Sequence, residues 1–514
     1  MQSEAKIFDG LGAKKIVVIA DRYPPNAIGG AEVSLHYALS GAPSELRELL
    51  LVVTFDDKLL EPTRYALDGV DVLSMPNAAP WPFNFMSSAR HRRLGAASAI
   101  TRVRARLLPV LGSLWSAKIL ERLAALGLRY FANPKGGVLT DHLLDQSDCR
   151  YQALRRVIAK TDCTMVIADN TRSILLTALL PKNLRKIAVV RDNRFTCARH
   201  NQPMIVGKTY CDKCTFSCTR EDAQAHVVQR WLHTLSIKRV AQRRRASLRA
   251  FDAIIVTSHF LARGIRGVAG ENAHIVRIPN VAGRRSQVTD GEVATSNGHD
   301  DLLCIGMLND AKGQYEFIRK ARYWIKADPR RRVIFAGRGD RTKAAIQRFA
   351  AANGISDQIV FLDYVADRRS LFASIQRAKL IILPTRWKEP AGRVPLEAGL
   401  AGKAVVAFGV GGLCETIIHE KTGLLVRPGD YHAFLNACER LLQDDAFRTE
   451  LGENARKYIE ANYSEEMTSQ RFVQTIVDFY RTPELHEPVL SPARLSGAGE
   501  AQARNARPQA DGAA

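Results

Sequence analysis

Two glutamates, Glu389 and Glu397, flank a Pro-Ala-Gly-Arg turn in the run LPTRWKEPAGRVPLEAGLAGKAVVAFGVGGLCETIIHEKTGLLVRPGD, which spans Leu383 to Asp430. A carboxylate on a loop accepts hydrogen bonds from sugar hydroxyls, and a second one about a turn into a helix reaches another polyol such as a ribose. Gly392 has no Cβ to keep the backbone away from a phosphate. This chemistry requires a strand, a loop and a helix in that order. The apolar run Leu380 to Leu383 reads as a buried strand, Glu389-Pro390-Ala391-Gly392 as a tight loop, and Val394 to Ala401 as a helix whose first turn aims backbone N–H groups at an anion. Two glutamates eight positions apart also describe a solvated helix face. The strand, loop and helix, followed by Gly411-Gly412, supply the order that a nucleotide site needs.

These motifs resemble those of the retaining glycosyltransferases with the GT-B fold, the family-four type that uses nucleotide-sugar donors. The resemblance rests on Glu389-Pro390 with Gly392, Glu397 eight positions after Glu389, Gly411-Gly412 and Thr422-Gly423-Leu424-Leu425. Gly29-Gly30-Ala31-Glu32 is similar to the glycine loop after the family's first strand, Ile278-Pro279-Asn280-Val281 to the end of its N-terminal domain, and Ile305-Gly306 through Lys312-Gly313 to the first loop of its C-terminal domain. The implied architecture is α/β, with two Rossmann-like doubly wound domains facing each other across a cleft.

The resemblance also implies roles. Lys312 would neutralise the departing diphosphate, Glu397 would hold the ribose and Glu389 the transferred sugar. Gly29 and Gly30 would bring backbone amides from the opposite domain, and Arg393 joins Gly392 on the donor side. Glu32, Asp169 and Asp192 fall on the acceptor side. Reaction on one face of the sugar, with the acceptor hydroxyl hydrogen-bonded to the departing phosphate, would need no carboxylate nucleophile, unlike the paired carboxylates of glycosidases. No catalytic cofactor is expected. The chain departs from the family twice. Met307 stands where an arginine usually follows the strand-end glycine, and Arg191-Asp192 replaces a His-Asp pair. Arg191, Arg393 and Arg338 are the candidates for the missing charge. A sugar-nucleotide epimerase of the same fold, or an inactive glycan-binding member, is the alternative reading. A dinucleotide oxidoreductase is disfavoured, because Asp21 to Gly30 lacks Gly-x-Gly-x-x-Gly.

The 514 residues exceed what one core normally supports, and apolar runs alternate with helical patterns through both halves. Strands are expected at Lys15 to Ala20, Leu49 to Thr54, Met165 to Ala168, Ile187 to Val190 and Ala253 to Thr257, then at Leu302 to Gly306, Val333 to Ala336, Ile359 to Leu362, Leu380 to Leu383 and Ala404 to Ala407. The division is an N-terminal domain over 1–283, a Gly-, Ser- and Thr-rich linker over 284–300, a nucleotide-sugar domain over 301–463, a helix over 464–482 that crosses back by analogy with the fold, and a disordered tail over 491–514. Gly337-Arg338-Gly339-Asp340 reads as a turn beside the site, and Asp169-Asn170 as an acceptor contact or a helix cap.

Lys plus Arg exceed Asp plus Glu by 22. Arg90, Arg92, Arg93, Arg102, Arg104 and Arg106 precede Leu107 to Phe131, which carries Trp115. This helical basic insertion, about 85–150, suits an anionic membrane surface as well as it suits packing on its own domain. Pro109, Lys118, Glu121 and Arg122 rule it out as a membrane span. Nucleic acid is a weak candidate partner, because Arg243, Arg244 and Arg245 lack interleaved aromatics. The expected partners are therefore a nucleotide-sugar donor and a glycan or lipid-linked acceptor. Cys197, Cys211, Cys214 and Cys218 have spacing that a structural zinc accepts, with His200 as a fifth candidate. Buried free thiols or an oxidised pair fit the same residues. Met1 to Lys15 is polar and unlike a signal peptide, so the expected place is the cytoplasm, with peripheral attachment at the inner face of the membrane as a variant.

Overall fold

The apolar runs assemble into two parallel sheets because each is short, β-branched and bounded by polar turns. The computed structural model describes residues 13–25, 30–56, 58–77, 146, 148–197, 238–283, 287–288, 298–362, 365 and 367–481. The N-terminal sheet contains β1 (Ile16–Ala20), β2 (Leu50–Asp56), β3 (Thr63–Leu67), β4 (Val70–Pro76), β5 (Met165–Asp169), β6 (Arg185–Val190), β7 (Ala253–Val256) and β8 (Ile275–Arg277), in the order β3-β4-β2-β1-β5-β6-β7-β8. Every pairing is parallel except β3 with β4, a hairpin turning at Asp68-Gly69. The C-terminal sheet contains β9 (Asp300–Ile305), β10 (Arg331–Ala336), β11 (Ile359–Leu362), β12 (Leu380–Leu383), β13 (Val405–Phe408) and β14 (Leu424–Val426), in the order β11-β10-β9-β12-β13-β14.

That second order places the reversal between β9 and β12, and open α/β sheets bind ligands outside the strand ends at such a reversal. The corresponding reversal in the first sheet lies between β1 and β5. The fold is therefore the expected pair of doubly wound domains. Three strands and a hairpin partner escape the sequence pattern: β3 and β4 alternate too weakly to stand out, and β8 and β14 are three residues long. Two expected boundaries shift. The linker drawn to 300 ends inside β9, and the insertion drawn to 150 overlaps the helix Cys149–Ala159, whose Tyr151, Leu154 and Val157 belong to the N-terminal core. Most of that insertion and the tail over 491–514 lie outside the described residues. No helix among the described residues is long and apolar enough to cross a membrane.

The helix Glu465–Arg481 returns to the first domain. Its Phe472, Ile476 and Phe479 join Ile16, Val18, Leu35 and Leu39 in one buried cluster, Ser469 Oγ donates to Ala38 O at 2.9 Å, and Arg185 hydrogen-bonds the Phe479 carbonyl. Truncating a fully buried phenylalanine removes its transfer free energy and leaves a cavity. Phe472→Ala should accordingly destabilise the N-terminal domain by about 3–5 kcal/mol in chemical denaturation. A loss below about 1 kcal/mol would mean that this helix does not complete that core.

Candidate functional site

Lys312 and Glu389 meet at the reversal of the second sheet. Lys312 follows β9, Glu389 follows β12, and Lys312 Nζ lies 2.7 Å from Glu389 Oε2. Trp387 Nε1 donates to the same oxygen at 2.5 Å, and Lys312 Nζ stands 5.1 Å from the centre of the Trp387 ring. Both donors therefore use Oε2, which leaves Oε1 for a ligand hydroxyl. A cavity beside the pair is lined by Lys312, Glu389, Gly392 and Arg393.

Glu397 repeats the pattern in the helix Val394–Leu400. It is 4% exposed, and its Oε1 takes Arg368 Nη1 at 2.8 Å and Arg393 Nη2 at 3.3 Å. Desolvation opposes the charge on Arg368, yet the field and hydrogen bond of Glu397, together with Tyr37 from the other domain, hold its pKa above the ordinary value. Burial pulls Arg393 below its ordinary value against the field of Glu397. Arg368 lies in no recognisable motif. Its place at the start of the helix Arg368–Arg377 puts it against Glu397, and only tertiary structure shows this.

The loop around Glu389 is shaped by Gly411-Gly412. Gly412 N donates to Glu389 O at 2.7 Å, and a Cβ on Gly411 would lie 2.3 Å from Glu389 O. No side chain fits that approach. Gly392 adopts φ +59°, and a Cβ there would lie 2.6 Å from Leu413 Cδ2. Its glycine therefore answers to backbone shape and packing, and it also lines the cavity beside Lys312. The Gly337–Gly339 turn lies against the loop after β9, with Leu308 N donating to Arg338 O at 2.7 Å.

The first domain contributes a second charged group. Asp169, at the end of β5, is fully buried, and its Oδ1 accepts from Arg191 Nε at 2.6 Å. Arg191 Nη1 also donates to Asn280 Oδ1 at 3.0 Å. The Arg191 charge is thus engaged within its own domain, Arg338 is exposed, and among the three candidates for the charge missing at Met307 it is Arg393 that shares the cavity with Lys312. Met307 itself is 62% exposed. Burial pushes the Asp169 carboxyl up to about 6 against the pull of Arg191, with Glu32 and Asp21 raising it further. Asp169 caps no helix; Asp21 does so instead, accepting from Ser173 N at 2.8 Å and from Arg172 N at 3.4 Å.

Glu32 sits in the first turn of the helix Gly30–Ser40, which starts at Gly30, and Gly29 lies outside the described residues. Asp192 turns back on Arg194, accepting from its backbone N at 2.9 Å and pairing with its Nε at 3.2 Å. Cys197 is buried, while His200, Cys211, Cys214 and Cys218 lie outside the described residues. Arg244 is buried, and Arg245 donates to the carbonyls of Phe195 and Thr196, each at 3.3 Å, so these two arginines brace the fold.

Comparison with known proteins agrees with this geometry. Residues 289–458, which contain the whole second sheet, match the family described as Glycosyl transferases group 1. The lipopolysaccharide core biosynthesis mannosyltransferase LpcC of Rhizobium leguminosarum bv. viciae is 31% identical over 184 residues, 34% of this chain and 50% of that protein. The chain spans about half the length, or somewhat less, of the curated relatives it matches. Among solved structures, sucrose-phosphate synthase of Thermosynechococcus elongatus superposes with a TM-score of 0.60 at 17% identity, covering 91% of this chain and 99% of that one. Anabaena HepE in complex with UDP-glucose gives 0.55 at 14% identity, covering 90% and 99%. The fold is GT-B, and the family match falls on the domain that carries the Glu389, Glu397 and Gly411-Gly412 motifs.

Asp169 generates a pH test. A carboxyl whose folded pKa lies above its unfolded value contributes stability that is fully present below the unfolded pKa and is lost as pH rises through the folded one. The contribution of Asp169 should therefore decline between about pH 4 and pH 6. Asp169→Asn replaces a carboxyl that is protonated at pH 4 with a neutral amide that does not titrate, and any stability deficit it shows there should narrow by about 1–3 kcal/mol from pH 4 to pH 7. Denaturation midpoints across that range check this, and a deficit that widens with pH would contradict it.

Proposed function

We propose, on the premise of a second domain that matches glycosyl transferases group 1, that this chain moves a sugar from a nucleotide-diphosphate sugar to a hydroxyl acceptor with retention of configuration. The observation that carries the reading is the pairing of Lys312 with Glu389 at the sheet reversal, next to a buried Glu397 held by two arginines. A diphosphate gains negative charge as it leaves, and fixed cations at that point stabilise the transition state more than the ground state. Lys312 and Arg393 supply the cations. Once phosphate oxygens draw Lys312 away, the Glu389 carboxylate becomes a stronger acceptor for sugar hydroxyls, and the Trp387 indole N–H keeps it in place.

Glu397 takes the ribose through the oxygen its arginines leave unengaged. With Oε2 of Glu389 held by the Trp387 indole N–H, the carboxylate is suited to accepting hydroxyls and less suited to attacking an anomeric carbon. That favours a same-face reaction in which the acceptor hydroxyl passes its proton to the departing phosphate. Lys312 and Arg393 fill the role a divalent ion takes elsewhere, and a zinc on Cys197, Cys211, Cys214 and Cys218 would brace the loop beyond Asp192. The donor class is supported by the neighbouring fold captured with UDP-glucose, and the acceptor class by the relative named for lipopolysaccharide core synthesis. An acceptor that is a glycan or lipid-linked saccharide, used in envelope or exopolysaccharide synthesis at the cytoplasmic face, matches the basic charge of the chain.

Glu389→Gln preserves the shape of the loop and removes the charge. Sugar transfer should fall at least 100-fold, about 3 kcal/mol of transition-state stabilisation, while uridine diphosphate still binds and the melting temperature stays close to that of the parent. Product analysis by mass spectrometry and NMR reads the outcome. Unchanged turnover removes Glu389 from the chemistry, and an isomerised donor formed without any acceptor would make the protein an epimerase.

A further inference from the structure

Three successive carbonyls of the donor loop are held, and two of the grips come from the opposite domain. Asn193, in the turn after β6, is fully buried, and its Nδ2 donates to Lys388 O at 2.7 Å. Gly412 N, from the loop's own domain, donates to Glu389 O at 2.7 Å. Ser258, just after β7, is 2% exposed, and its Oγ donates to Pro390 O at 2.5 Å while accepting from Leu261 N at 3.1 Å. The residue that carries the sugar-facing carboxylate is therefore flanked on both sides by bonds from the first domain. Close by, Glu415 of the second domain accepts from His259 N at 2.8 Å and from Phe260 N at 2.7 Å, which fixes the helix behind Ser258 against the same surface.

We propose that Asn193 and Ser258 are positioning residues that set Glu389 from the N-terminal domain, so that the sugar-holding half of the donor site is complete only while the two domains are docked. The proposal rests on the cleft being a nucleotide-sugar site. Its logic follows from which domain owns each group. Lys312, Arg368, Arg393 and Glu397 all belong to the second domain, so the groups assigned to the diphosphate and the ribose survive separation of the domains. The Glu389 loop is weakened, because parting the domains breaks the bonds at Lys388 and Pro390 and leaves the loop backbone with Gly412 N and the Glu389 side chain with Lys312 and Trp387. Both donors are buried, and a buried carbonyl stripped of its partner leaves its position when it can reach water. Nucleotide capture and sugar placement thereby become separate events, the second gated by docking. That order would keep a reactive sugar from being activated in an open, wet cleft.

The test uses the full chain with Ser258→Ala, Asn193→Ala and the conservative Ser258→Thr, and with UDP and UDP-glucose as probes. Hydrogen exchange at the amides of Lys388, Glu389 and Ala391 should quicken about tenfold in both alanine variants and return to the parental rate in Ser258→Thr. UDP affinity by calorimetry should stay within about twofold of the parent, while kcat for consumption of UDP-glucose falls about tenfold with KM changed less than threefold. Parental exchange rates in both alanine variants overturn the proposal. So does a parallel loss of UDP binding, kcat and melting temperature, which marks the two side chains as general interdomain glue. Exchange requires no substrate, so the clamp is decided even if the unsubstituted chain takes neither probe, an outcome that would count against the nucleotide-sugar reading instead.

Discussion

The cleft is organised by one ion pair that joins two strands distant in sequence and adjacent in space. Lys312 follows β9 and Glu389 follows β12, and the sheet lays those strands side by side where its winding changes direction. An ammonium and a carboxylate brought together there would collapse into a simple salt bridge if both carboxylate oxygens were consumed. They are not: the lysine and the Trp387 indole share one oxygen. The nearby Glu397 obeys the same rule with two arginines. Each acid is thus fixed by cations and remains half available, an arrangement that gives a carboxylate direction without spending its capacity to accept hydrogen bonds.

Close packing maintains that arrangement. The glycine pair at 411 and 412 lets one loop rest on the backbone of another, and a Cβ at either place would collide with the carbonyl of Glu389 or Pro390. The opposite domain seals the other side through Asn193 and Ser258. In the first domain Arg191 pairs with Asp169 and bonds Asn280, and its charge is felt by Arg393 of the second domain.

Much of this was legible in the sequence, for physical reasons that differ between elements. Strands β11 and β12 are short apolar runs between sharp polar boundaries, so their ends could be placed to the residue. The Glu389 loop carried its own punctuation in Pro390 and Gly392. By contrast, β8 and β14 are too brief to show a period, and Arg368 looks like any exposed arginine near a helix start until the fold brings it to Glu397. Asn193 and Ser258 were invisible for a related reason: their partners lie 195 and 132 positions away, and no local pattern encodes a contact of that range. Gly392 was legible as a required glycine, but the sequence could not show that Leu413 is the neighbour that excludes a Cβ.

The returning helix Glu465–Arg481 places part of the first domain's interior near the far end of the chain. A ribosome makes the last strand of the N-terminal sheet, ending at Arg277, well before it makes Phe472, Ile476 and Phe479. During that interval Leu35, Leu39 and the neighbouring strand faces have no permanent cover, and they invite chaperones or self-association. The second domain meets no such delay within its own sheet. Synthesis therefore finishes the later sheet before the earlier domain is covered, and the two become a working cleft only when the helix Glu465–Arg481 docks.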